Sequence, residues 1–128
     1  MNPIKVYIAG KYSADNVIEV LQNIGYAEEV AAILFENGFA PFCPHHNKDF
    51  CIRLYGTSFT KQQFYDYSLA WLEVSDVMFV ISGTHTSVGV KAEIKFAHEN
   101  NIPIFYHISD LRDYRYNLIQ KEKEQLNA

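Results

Sequence analysis

Cysteine is scarce in this chain: two among 128 residues, Cys43 and Cys51, too few for a disulfide framework. Basic residues are thin as well. Lys and Arg number 11 against 15 Asp and Glu, the net charge is -4, and no basic cluster occurs. Nucleic-acid polymers are held by concentrated Lys and Arg that displace counterions, so that partner class is disfavoured. No apolar run approaches the ~20 residues that span a bilayer, and no cleavable signal precedes the first apolar segment, which argues against a membrane partner. Repeats and low-complexity tracts are missing too. The expectation is a soluble cytoplasmic protein, one domain over 1–128 with a peripheral C-terminal segment at 110–128.

What the chain has is apolar and aromatic side chains. Hydrophobic residues make up 48% and aromatics 15%, enough for a full core with rings to spare for a pocket or subunit interface. The apolar run Ile4 to Ala9 reads as a strand ending at Gly10, followed by a loop through Ala14. Ser13 or Asp15 is placed to cap a long helix, with Val17, Leu21, Ile24, Ala27, Ala31 and Leu34 at roughly helical spacing and Gly38 as its stop. Phe39 to Cys43 is a second strand, and Pro41 inside it points to a sheet edge. Residues 45–58 show no convincing period and read as a long functional loop. A second helix follows Thr60 to about Val74, and Ser109-Asp110 are placed to cap a final one that frays from Gln120.

The densest information lies between Asp76 and Tyr106. An apolar run (Val77 to Ser82), a Gly-bounded polar loop (Gly83 to Gly89), a helical pattern (Val90 to Asn100) and a second apolar run (Ile102 to Tyr106) make one βαβ unit. Strands alternating with helices predict an α/β fold, a flavodoxin-like three-layer sandwich on a parallel sheet. Right-handed crossovers give strand order 2-1-3-4, with room for a small fifth element. In such sheets ligands bind outside the carboxyl ends of the strands, where the winding reverses. The loops Gly10 to Ala14 and Gly83 to Gly89 meet there.

The second loop opens onto a helix N-terminus, whose outward N–H groups make a seat for an anion. Glu93 follows about one turn later. It reads either as a nucleophile for the anomeric carbon of a sugar or as an acid that merely complements the helix dipole. Tyr7, near the carboxyl end of the first strand, reads as an orienting partner of Glu93 or as a core aromatic.

Four blocks then carry a resemblance: Val6 to Ser13, Ala40 to His45, Leu69 to Asp76, and Ser87 to Glu93. Together, over about residues 4–106, they are similar to the nucleoside 2-deoxyribosyltransferase-like superfamily, and most to its short bacterial and phage-type members of unassigned function. That superfamily also contains deoxynucleoside 5'-monophosphate N-glycosidases. The resemblance implies cleavage or transfer at the bond between base and deoxyribose, with a small-molecule nucleoside or nucleotide as partner. It implies no cofactor and a homo-oligomer, a dimer or higher, in which a neighbour closes the site in many members. By position, Glu93 matches the nucleophile, Tyr7 the tyrosine that orients it, and Ser87, with the loop amides that include Gly89, the phosphate contact. Gly10, Lys11 and Ser13 fall in the loop that approaches the same phosphate or sugar.

One position departs from the pattern. The superfamily's Asp that contacts the substrate and protonates the leaving base is replaced by Ser68, and Asp66, two residues away on a helix, faces nearly the opposite side. General acid catalysis contributes about 10²–10⁴-fold, so its loss matters. Either His45, His46 or His85 supplies the proton, or this chain is slow, altered in substrate, or a nucleotide-binding module without catalysis. His45 and His46 follow the second strand at the site rim, which makes them candidates for base contact. Cys43, His45, His46 and Cys51 are close in sequence but match no standard zinc spacing, so no metal is expected. Phe64, Trp71, Tyr106, Tyr114 and Tyr116 read as core and interface. Phe50 or Tyr55 is placed to stack on a base.

Overall fold

A computed structural model describes every residue except Tyr55 and His85, and every side chain except those of Lys48 and Cys51 as well. Four parallel strands form the sheet: β1 (Lys5–Ala9), β2 (Ala40–Phe42), β3 (Val77–Val80) and β4 (Ile104–Phe105). Their order is β2-β1-β3-β4, as the crossover rule predicts. The register pairs Tyr7 with Phe42 on one side and with Met78 on the other. Pro41 lies on the edge strand, where its missing N–H is tolerated. The described residues contain no fifth strand.

Alternation along β1 divides the core in two. Val6 and Ile8 point to one face and pack with Ala27, Leu34 and Phe39 from the α1 side and with Leu111 of α5. Tyr7 and Ala9 point to the other and pack with Leu72 of α3 and Val90 and Ala97 of α4. The helices are α1 (Val17–Glu36), α3 (Lys61–Glu73), α4 (Val88–Glu99) and α5 (Ile108–Leu126), with a single short turn, α2 (Phe50–Arg53), between them. The result is a three-layer sandwich, α1 and α5 on one face, α3 and α4 on the other. No helix among the described residues is long and apolar enough to cross a membrane.

Several boundaries differ from the sequence reading, each for a local reason. The cap of α1 is Asn16, not Ser13 or Asp15: its side chain accepts a hydrogen bond from Glu19 N at 2.9 Å. Of the spaced apolar positions on α1, Ile24, Ala27 and Leu34 are buried, but Val17 and Leu21 are exposed, because the helix starts beyond the sheet it covers. The aperiodic segment after β2 is largely helical: a 3-10 turn over Pro44–Asp49 runs into α2, and such short turns leave no hydrophobic period to read. Thr60 caps α3 in a capping box with Gln63. α5 is capped at His107 rather than Ser109-Asp110, and stays helical to Leu126.

Gly38 ends α1 at φ 89°, a left-handed conformation that costs a residue with a Cβ about 1–2 kcal/mol. A Cβ there would also lie 2.9 Å from Arg115 Nη2. Gly38→Ala is therefore expected to lower stability by about 1–2 kcal/mol, read as a drop in the midpoint of urea unfolding with unchanged slope.

Candidate active site

At the carboxyl ends of β1 and β3, where the crossovers diverge, a cleft of about 670 Å³ opens between the β1–α1 loop, α3 and the start of α4. The residues that the family resemblance places at the site, with His45 of the rim candidates, line it. Tyr7 and Glu93 face it from strand and helix; Gly10, Lys11 and Ser13 come from the β1–α1 loop; His45, Ser68, Ser87 and Gly89 complete the set. The reason is the two-residue alternation of β1. Tyr7 points toward the α3–α4 layer, so its hydroxyl arrives beside the Glu93 carboxyl and the Ser68 hydroxyl.

Burial sets the electrostatics. Glu93 lies in the second turn of α4, not the first, so dipole complementation does not explain it. The residue is partly accessible, but Oε2 has no contact with solvent, and desolvation raises the carboxyl from its ordinary 4.5 to about 7, opposed in part by the Tyr7 hydroxyl. Tyr7 is fully buried, and its hydroxyl is pushed well above 10.0, first by burial and then by the Glu93 charge. Tyr7 therefore stays protonated, a donor. The two groups are adjacent without meeting hydrogen-bond geometry: Tyr7 Oη and Glu93 Oε2 are both buried and lack a partner among the described residues. Orphaned buried oxygens of this kind are characteristic of functional sites.

The rim carries two lysines and a helix N-terminus. Ser87 occupies the N-cap of α4, yet its side chain makes no capping bond, which leaves the hydroxyl available beside the first helix amides. Lys11 and Lys61 both line the cleft, and neither forms an ion pair among the described residues. Lys61, Phe64, Tyr65 and Ser68 stand at i, i+3, i+4 and i+7, one face of α3 turned into the cleft. α3 and α4 both begin at the strands' carboxyl ends, so Lys61 and Ser87 lie roughly 10 Å along their axes from Ser68 and Glu93.

His45 is 3% exposed, and its Nε2 lies 3.2 Å from the Lys11 carbonyl oxygen. A carbonyl only accepts, so Nε2 carries the proton and ties the 3-10 turn to the Lys11 loop. Gly10 makes this approach possible: a Cβ there would stand 2.7 Å from Ile81 Cδ1 and 3.5 Å from His45 Cε1.

Other expectations fall away from the cleft. His46 is exposed and is not part of the lining, and Asp66 accepts from Gln62 Nε2 at 2.8 Å on the outer side of α3. Phe50 packs edge-on to Tyr67, 5.5 Å between centroids, and does not line the cleft. Tyr55 and His85 lie outside the described residues, as does the Cys51 side chain. No cluster of three metal-ligating side chains forms among the described residues. Phe64, read as core or interface, is instead part of the lining. Lys61, Tyr12, Asn47 and Tyr65 also line the cleft and were missed. The helical spacing of Lys61 and Tyr65 from Ser68 was the available signal for two of them.

A parallel 2-1-3-4 sandwich with this crevice belongs to the fold class of the nucleoside deoxyribosyltransferases. The chain is similar to a solved 2-deoxyribosyltransferase from the psychrotolerant bacterium Bacillus psychrosaccharolyticus, described as a biocatalyst for nucleoside synthesis, at 20% identity and a TM-score of 0.56, over 78% of this chain and 69% of that one. It is similar too to a 2-deoxyribosyltransferase from Leishmania mexicana, at 15% identity and a TM-score of 0.58, over 80% of this chain but only 63% of that one. At these identities the likeness speaks for the fold. Residues 4–107 match the family described as Domain of unknown function (DUF7768), and the chain belongs to that family. No curated protein matches it.

Proposed function

We propose that this protein cleaves or transfers the N-glycosidic bond of a (deoxy)nucleoside or, in preference, a nucleoside 5'-monophosphate. The observation that carries this reading is the buried Glu93 carboxyl beside the Tyr7 hydroxyl, both oxygens unpartnered, in a cleft rimmed by a helix N-terminus. Glu93 attacks C1' and forms a glycosyl ester while the C1'–N bond breaks. Tyr7 orients the carboxylate. Ser87, Lys11, Lys61 and the first amides of α4 hold the phosphate. Gly10, Ser13 and Gly89 let the backbone approach sugar and phosphate, and His45 holds the Lys11 loop in place. Water resolves the intermediate in a hydrolase, a second base in a transferase. No cofactor is called for. A homo-oligomer belongs to the same proposal, with exposed Val17, Ile18 and Leu21 as apolar surface for it.

Incubation with a panel of nucleosides and monophosphates, followed by chromatography for free base, tests this directly. The attacking form is the ionised carboxylate, and burial lifts that group to about 7. kcat/KM is therefore expected to climb with pH through about 7 and to fall tenfold per unit well below it. A profile flat between about pH 5.5 and 8 removes Glu93 from the reaction.

One observation favours a second reading, a nucleotide-binding or sensing module without turnover. Ser68, not a carboxylic acid, faces Tyr7, and Asp66 is engaged elsewhere. Saturable nucleotide binding with no free base would decide for the module.

A further inference from the structure

The described lining of the cleft provides poorly for proton transfer to a leaving base. Glu93 is the only carboxyl group among its described lining residues, and the nucleophile cannot also protonate the leaving base in the same step. His45, the described ring suited to proton transfer near neutrality, is buried under Gly10 with Nε2 turned to the Lys11 carbonyl. At the position to which the family resemblance gives the proton donor stands Ser68, an alcohol beside the Tyr7 phenol. A neutral purine or pyrimidine leaves poorly under such conditions.

The same walls suit a different leaving group. Tyr12, Phe64 and Tyr65 line the cleft, and aromatic faces attract cationic rings. On the same walls, Lys11, Lys61 and Ser87 favour an anion, with Lys61 on the α3 face that carries Phe64 and Tyr65. A ligand that carries both a cationic ring and a phosphate matches this lining.

We infer that the substrate is a 5'-phosphorylated N-pentoside whose base is a quaternised heterocycle, a pyridinium or an N7-alkylated purine. This rests on the Glu93 reading above and narrows it to a class of base. An oxygen of the Glu93 carboxylate bonds to C1' as the C1'–N bond breaks. The bonding pair passes to the ring nitrogen and cancels its positive charge, so the base departs neutral with no proton added. Water then opens the glycosyl ester, one proton is released to solvent, and Glu93 is restored. The balance needs no oxidant, reductant or acid.

The test compares matched pairs under saturating enzyme: N7-methylguanosine 5'-monophosphate against guanosine 5'-monophosphate, in ribo and deoxyribo forms, with nicotinamide mononucleotide as the pyridinium probe. Enzyme-free rates are subtracted. Missing acid catalysis is worth about 10²–10⁴-fold, so kcat/KM for the cationic member is expected to exceed its partner by at least about 10². A smaller ratio, or a reversed one, overturns the inference while base release itself leaves Glu93 catalysis standing. No release from either member, with nucleotide still bound, overturns both. Ser68→Asp restores an acid at the base. It is expected to narrow the ratio by tenfold or more through faster release of unmodified guanine, and an unmoved ratio in the folded variant overturns the role given to Ser68.

Discussion

Glu93→Gln is expected to abolish base release, by on the order of 10⁴-fold or more, while leaving nucleotide binding measurable. The amide keeps the shape of the carboxyl and an oxygen for the Tyr7 hydroxyl, but it has no nucleophilic anion to place on C1'. Binding is expected to be spared because the proposed phosphate seat, at Ser87 and the helix amides, lies roughly 10 Å away along α4. Chromatography for free base and calorimetric titration with a monophosphate separate the two effects. If the Gln variant retains activity within tenfold of the parent, the covalent route fails. If it loses binding and turnover together, the carboxyl serves ground-state affinity instead.

The second large effect is on stability, and its sign is opposite to the usual one for an acid. Folding raises Glu93 from 4.5 to about 7, so the native chain holds this proton more tightly than the unfolded chain does. The group's contribution is fully favourable below about pH 4.5, declines between about 4.5 and 7, and above that the ionised carboxylate is a buried burden. A shift of this size corresponds to roughly 3 kcal/mol. Glu93→Gln removes that burden. The variant is expected to match the parent near pH 4 and to exceed it by up to about 3 kcal/mol at pH 8, measured by urea unfolding at both values. Equal stability of the two proteins at pH 8 would mean that the carboxyl is hydrated in the native state. Taken with the lost activity, the result would make Glu93 a group kept for chemistry at the expense of stability.

The layout of the sheet was legible because its causes are local and periodic. Val6 and Ile8 alternate with Tyr7 and Ala9, the Gly83 to Gly89 loop separates a strand from a helix, and handed crossovers leave little choice of order. The meeting of Tyr7, Ser68 and Glu93 followed from that layout together with the family resemblance. What escaped was set by tertiary context. The cap of α1 moved to Asn16 because its side chain reaches the Glu19 amide, whereas Ser13 is drawn into the cleft. Residues 44–53 form turns too short to carry a hydrophobic rhythm. Lys61 and Tyr65 share a helix face with Ser68, but the helix alone does not say which way that face points. Only the packing of α3 beside α4 turns that face inward, and no pattern within one helix encodes its neighbour's position.

Both margins of the sheet are guarded. β2 carries Pro41 at its centre, where Ala40 N donates inward to Ile4 O and the Pro41 nitrogen faces the open edge, and β4 is only two residues long. A proline offers no N–H to an incoming chain, and a two-residue strand gives almost no template for one. Recruitment of a foreign strand, the common route to fibrils and to sheets continuous across subunits, is thereby obstructed at either border. In the homo-oligomer proposed above, contacts between copies fall to the helical flanks and leave the sheet as it is.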